Sequence, residues 1–354
     1  MHWFDAHLDL AYLAECGRDM HADLDDCRGR YLPAAVTLPS LRDGGVRACL
    51  ATIFTEAIPD PNAPDAESGA FAYPLGDAGR AYVCGMRQLK LYQAWAAGNA
   101  IDPMPMRGDA RSRELPRAGG AIVAGVLMEC ADPIRTPDEL DAWADAGVVA
   151  IGMAWWRGSR YAAGNGADPD DAGAGLTDMG RELAKRMDAR GVVHDLSHLS
   201  PRATLQLLEA TDTSVIASHS NCRALMAGQD ARAAQRHLDD ATIREIARRG
   251  GVVGINLLSD FLDPRIRQGQ RSTIDKVCAH VEHVCEIAGS RAHVGLGSDM
   301  DGGFTADRLP VGIDTPSDLD RIADALRTRG WSDADVRGFA YDNWARFWGL
   351  SRKL

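Results

Sequence analysis

Five side chains able to hold a divalent metal ion close four separate strand-like runs: His7 with Asp9, then Glu129, His198 and His219. Singly, each has a plainer reading. His-x-Asp can be a hydrogen-bonded strand end, Glu129 half of a buried ion pair, and either later histidine a satisfied core residue. Together they supply the imidazole and carboxylate donors that suit zinc, with enough for two ions if one carboxylate bridges. Such a pair lowers the pKa of a bridging water and polarises a carbonyl, which is the chemistry of amide hydrolysis. Asp299, in Gly295-Leu-Gly-Ser-Asp299-Met-Asp301-Gly, closes a further run, where it can take a proton from the attacking water and pass it to a leaving amine. Asp301 reads as a turn-forming residue.

These residues need strands to carry them to one place. Runs rich in apolar, β-branched and Gly residues span Trp3–Asp9, Val46–Thr55, Ala121–Glu129, Val148–Trp155, Gly191–His198, Ser214–Ser220, Gly250–Leu257 and His293–Asp301. Helical patterns separate them at Asp77–Ala97, Thr177–Arg190, Pro201–Ala210, Asp239–Arg249 and Ser272–Ala288, several opened by a Thr, Ser or Asp able to cap. Eight strands alternating with helices, with polar residues at several strand ends, predict an α/β chain folded as a (β/α)8 TIM barrel with the metal site at the C-terminal ends of its strands. A single domain over 1–354 accommodates this, with a C-terminal helix over about 332–350 begun by Ser332. Glu56–Gly76 and Arg157–Gly175, after the second and fourth strands, are candidate lids, and Asn99–Gly120 reads as irregular.

A net charge of -11, with both signs interspersed, leaves no electrostatic footprint for nucleic acid or an anionic membrane. The first residues have neither a basic segment nor a long apolar one, and no run reaches membrane-spanning length. The expectation is a cytoplasmic, soluble chain whose eight scattered cysteines stay reduced. Cys278-Ala-His280-Val-Glu-His283-Val-Cys285 has a zinc-finger composition on a helical pattern. At about 100° per residue its four side chains cannot meet one ion. His194 shares strand parity with His198 and could support it, whereas His237 reads as solvated or locally bonded.

Asp5-Ala-His7-Leu-Asp9, Asp195-Leu-Ser-His198, Ser218-His219-Ser220-Asn221, Gly250-Gly-Val-Val-Gly-Ile-Asn256, Gly297-Ser-Asp299-Met-Asp301-Gly302 and Asp342-Asn343-Trp-Ala-Arg346 resemble the membrane dipeptidase (renal dipeptidase) family of zinc peptidases, within the amidohydrolase-type metal-dependent barrels. The resemblance spans nearly the whole chain. It implies two Zn2+ per chain, one held by His7 and Asp9, the other by His198 and His219, with Glu129 bridging and Asp299 as acid and base. It implies a substrate-binding Arg, matched by Arg236 in Arg236-His-Leu-Asp239, although Arg223 and Arg232 stand close by. A homodimer is a further implication. The fourth strand departs from the pattern: many members carry a histidine at its end, and here the segment reads Met153-Ala-Trp155-Trp-Arg157-Gly-Ser-Arg160, with Trp155 near that place as a candidate substrate contact. With Arg157 and Arg160 nearby, this suggests a pocket for bulkier or more anionic side chains.

The sequence therefore reads as a zinc-dependent dipeptidase in which metal-bound hydroxide attacks the amide of a small dipeptide, and the resemblance implies that a D-residue is acceptable at its C-terminal position. The rivals are a hydrolase of N-acyl amino acids or lactams on the same scaffold, and a non-catalytic metal-binding protein, against which the presence of Asp299 speaks.

Overall fold

The computed structural model describes residues 1–59, 69–108, 120–267 and 269–350, so the middle of the first candidate lid and half of the irregular stretch before the third strand lie outside the described residues. Eight parallel strands form the barrel: β1 (Trp3–Leu8), β2 (Val46–Ile53), β3 (Ile122–Met128), β4 (Val148–Gly152), β5 (Val193–Asp195), β6 (Val215–Ile216), β7 (Val253–Ile255) and β8 (Val294–Leu296). Neighbours in sequence are neighbours in space, and β8 pairs β1 through Asp5 and Leu296. A parallel bridge from Ala217 to Val253 closes β6 onto β7, with Gly254 N–H donating to Ala217 O at 2.8 Å. A short strand, Ile101–Pro103, pairs with Ile122–Ala124 at the foot of β3, below the point where β4 begins opposite Val126.

Most strands are apolar throughout because both faces are buried, as a barrel wrapped in helices requires. One face, with Trp3, Cys49, Ala51, Ala124, Val126, Val148 and Val215, packs into the large cluster shared with the helices. The other, with Phe4, Ala48, Leu50, Val123, Leu127, Val149 and Ile216, forms a separate inner cluster. The helices start where the sequence places them. Asp77, Thr177, Ser200 and Asp239 each accept a hydrogen bond from a first-turn N–H, at Arg80, Gly180, Ala203 and Thr242.

The C-terminal segment differs from the single regular helix expected. Ser332 does cap it, in a reciprocal pair with Asp335, but the helix Asp333–Arg337 passes into a π turn over Gly338–Asp342 before resuming as Asn343–Trp348. A π turn inserts residues and rotates the helix face that follows. Here the rotated face brings Trp344, Phe347 and Trp348 onto the inner cluster, closing the end of the barrel opposite the C-terminal ends of its strands. Trp344 stacks on Phe4 with centroids 5.7 Å apart and donates its indole N–H to Leu296 O at 3.0 Å. Asn343 bonds Val294 O at 2.8 Å. Gly295 must be glycine, since a Cβ there would come within 2.3 Å of the Trp344 indole nitrogen. Among the described residues, no helix is long and apolar enough to cross a membrane.

Trp344 is fully buried, so Trp344→Ala should cost about 3–5 kcal/mol in urea unfolding, the range for a truncated core aromatic. The folded variant should bind as much metal as the parent, because the plug and the rim occupy opposite ends. Loss of metal without loss of stability would contradict this separation.

Candidate metal centre

The strand ends deliver the site by departing from regular geometry. The β1–β2 ladder shifts register between Asp5 and Leu8. Ala6 packs in the inner cluster and Leu8 in the outer one, and past the shift His7 and Asp9 both turn to the barrel mouth. Glu129 directly follows β3 and is held by donation of its N–H to Ile53 O at 3.0 Å. His198 and Asp299 stand three residues beyond their strands in left-handed backbone, with φ of 65° and 59°. That conformation costs a non-Gly residue of order 1–3 kcal/mol and collects at functional sites.

The five predicted ligands and Asp299 come together. His7 Nε2 lies 3.8 Å from Asp9, 3.6 Å from Glu129 and 4.0 Å from Asp299. On the other side of Glu129, His198 Nε2 is at 3.1 Å and His219 Nε2 at 3.5 Å from its second oxygen. All six are buried. The donor set fits divalent cations. His7 Nε2 is buried with no hydrogen-bond partner, and the Nε2 atoms of His198 and His219 point at each other 2.9 Å apart. His198 Nδ1 is 3.0 Å from Asn165 Oδ1, a partner that takes the proton on Nδ1 and leaves Nε2 bare for a metal.

Without a cation the carboxylates crowd one another. Burial, then Asp9 and Asp299, raises Glu129 well above the ordinary range, and burial with Asp9 does the same to Asp299. Burial lifts Asp9 to about 6. Burial pushes the three histidines well below 6.5, with Arg236 as an added cause.

The centre floors a cavity of about 390 Å³ lined by, among others, Arg236, Phe261, Trp155, Phe54, Tyr12 and Tyr31. Of the three candidate arginines, Arg236 is the one that faces it, held by Ser220 Oγ at 3.0 Å and His219 O at 2.7 Å while its Nε has no partner. Arg223 instead binds the carbonyls of Ala234 and His237, and Arg232 is exposed. Trp155 meets Phe54 edge-on at 5.0 Å and lies 6.2 Å from the His198 ring. Arg160 does not serve the mouth: its guanidinium binds the carbonyls of Asp132, Ile134 and Arg135. Arg157, exposed, does not line the cavity either. The stretch after β4 does reach the centre, through Asn165. His194 is bonded to Asp188 and supports no ligand, and His237 is buried edge-on to Phe261 rather than solvated. The Cys/His helix, Ile274–Ala288, holds no convergent site. His280 is buried and accepts from Cys222 N–H, while His283 pairs with Asp240.

Several supporting residues were not assigned from sequence. Asp5 accepts the N–H groups of His7 and Ser298 and the Ser298 hydroxyl. Asn256 donates to Asp299 Oδ2 at 2.8 Å, and the Thr52 hydroxyl donates to Asp9. Asp301, also left-handed, forms a buried ion pair with Arg18 and accepts from Ala35 and Val36 N–H. Arg18 in turn binds Tyr31 O at 2.8 Å, so this pair seats the segment that carries Tyr31 to the cavity wall. The available signal was an acid inside or just past an apolar run, which is costly unless bonded.

Comparison with known proteins agrees with this architecture. A family model described as membrane dipeptidase, Peptidase family M19, matches residues 1–353. An uncharacterised protein from Klebsiella pneumoniae is 32% identical over 211 residues, 59% of this chain and 74% of that one. Among solved structures, a metallopeptidase from Rhodobacter sphaeroides carrying a phosphinate mimic of the dipeptide L-Ala-D-Ala aligns with a TM-score of 0.79 and 24% identity, over 98% of both chains. The probable dipeptidase PvdM from Pseudomonas aeruginosa aligns with the same score and 20% identity, over 99% of this chain and 95% of that one. At these identities the structures establish the shared barrel.

The charge crowding sets a pH dependence. A carboxylate with a raised folded pKa stabilises the fold below its unfolded pKa and loses that contribution as pH rises through the folded value; the neutral histidines act oppositely, and their contribution is complete above about pH 6.5. As pH rises past the ordinary carboxylate range, Glu129 and Asp299 carry a growing loss in the metal-free chain that bound cations would relieve, while the buried thiols, also raised, act alike with or without metal. The gap in Tm between metal-loaded and metal-free protein should therefore widen as pH rises. Parallel curves would mean that the carboxylates do not carry the charge penalty.

Proposed function

This chain belongs to the membrane dipeptidase family, Peptidase family M19, and we propose from that membership that it hydrolyses the amide bond of dipeptides at a centre of two zinc ions. The observation that carries the reading is the convergence of three imidazoles and three carboxylates beside the buried guanidinium of Arg236 at the floor of one cavity. His7 and Asp9 would hold one ion, His198 and His219 the other, and Glu129 would offer one oxygen to each. Ions bound there would acidify a water and polarise the scissile carbonyl.

The rest of the mechanism belongs to the protein. Asp299, fixed by Asn256, has its other oxygen toward the centre, placed to accept a proton from water and return it to the departing amine. Arg236 keeps Nε and one N–H on each terminal nitrogen after its two holding bonds, a fork able to take a substrate carboxylate. With the carboxylate at Arg236, beside Phe261, the N-terminal residue extends across the centre toward Tyr12, Tyr31, Phe54 and Trp155. This aromatic end suits bulky side chains. The expected anionic preference loses its basis, since Arg160 is tied elsewhere and Glu56 lines the same cavity. The L-Ala-D-Ala mimic on the Rhodobacter sphaeroides enzyme supports including D-residues at the C-terminal position.

The test is turnover of L-L and L-D dipeptides alongside N-acyl amino acids and lactams, with metal content measured on the same sample. Dipeptides should be preferred and two zinc ions found; preference for the other amides would favour the rival hydrolase. Asp299→Asn should retain metal and lower kcat by roughly 10²–10⁴, the span for general acid–base groups. Arg236→Ala should raise KM for dipeptides and spare their C-terminal amides. An unchanged kcat, or equal effects on acid and amide, would remove the respective role.

A further inference from the structure

Ser218 stands just before His219, fully buried, at the meeting point of three groups that each constrain its single proton. Its Oγ is 2.5 Å from Asp195 Oδ2, 2.8 Å from His219 Nδ1 and 3.4 Å from His7 Nδ1. The other oxygen of Asp195 is occupied by the N–H groups of Ser218 at 2.8 Å and Ser197 at 3.1 Å. A carboxylate surrounded by donors can only accept, so the serine proton points to Asp195. The two lone pairs of Oγ then face the histidines, whose rings stack 3.6 Å apart, and each ring must present N–H from Nδ1. The nearest alternative partner, Ser197 Oγ, lies 3.4 Å from Ser218 and closer to Ser220, at 3.2 Å.

We infer that Ser218, oriented by Asp195, is a positioning residue that fixes the tautomer of His7 and His219 together, leaving both Nε2 atoms bare. The inference rests on the metal reading proposed above, in which these histidines serve different ions. One hydroxyl would thus prepare both halves of the centre, whereas loss of a ligand such as His198 empties one half. The direction of the chain of hydrogen bonds matters as much as its presence. In Asp195→Asn the two backbone N–H groups hold the amide oxygen where Oδ1 now lies, so the amide nitrogen donates to Ser218. The serine proton then turns to His219 Nδ1, the ring proton moves to Nε2, and that nitrogen is lost as a ligand.

Two measurements on the full chain test this. In metal-free wild-type protein, ¹⁵N-histidine NMR should show His7 and His219 protonated at Nδ1, and Asp195→Asn should move His219 to Nε2. Chelator competition with Zn²⁺ alone should show both ions weakened by roughly 10–100-fold in Ser218→Ala, the usual cost of losing a partner of a ligating histidine. Asp195→Asn should weaken the His219 ion further. Wild-type tautomers protonated at Nε2, or a folded Ser218→Ala with both affinities unchanged or only one reduced, would overturn the inference. A wild-type chain that binds no zinc would instead overturn the metal reading, and its tautomers would still decide the role of Ser218.

Discussion

Three carboxylates share one buried barrel mouth, and the rest of the rim is arranged around that constraint. Asp9, Glu129 and Asp299 lie within a few ångströms of a common centre where burial disfavours their charge, and among the described residues Arg236 is the guanidinium beside them. Such an arrangement is tolerable in two ways: the acids keep protons, or cations replace those protons. The histidines, neutral by burial, are ready for the second. Catalysis of amide hydrolysis and stability of the rim therefore draw on the same ions, and the fold is set up for the loaded state.

The carboxylates and imidazoles could be found in the sequence because each closes an apolar run, where a polar side chain is conspicuous. Strand number followed from the same runs. The runs overstated the strands themselves: Gly191–His198 narrows to Val193–Asp195, since the residues past Asp195 leave the ladder to carry His198 into left-handed backbone. Period-two alternation also could not reveal the register shift that turns His7 inward next to Ala6. Asp5, Asp195 and Ser218 went unassigned because their work is done across strands distant in sequence. Arg160 shows the opposite failure, in that a cation near the site in sequence is bonded to carbonyls away from it in space.

Asp301 illustrates how close a structural and a chemical role can lie. Two residues from Asp299 and likewise left-handed, it anchors Arg18 rather than facing the centre. The loop after β8 thus divides its two acids between holding the wall and facing the candidate ligands, which explains why a plain turn-former is an incomplete description of Asp301.

The plug beneath the barrel bears on how the chain reaches this state. The residues that seal the inner cluster, Trp344, Phe347 and Trp348, follow all eight strands in the sequence, so synthesis finishes the barrel wall before it supplies the floor. Until they emerge, Phe4 and its inner neighbours have a wet underside, and domain folding in a growing chain is open to aggregation through such exposed apolar surface. The strand ends that carry the candidate ligands are encoded earlier than the plug, so a nascent chain holds all of them before the opposite end of its barrel is sealed.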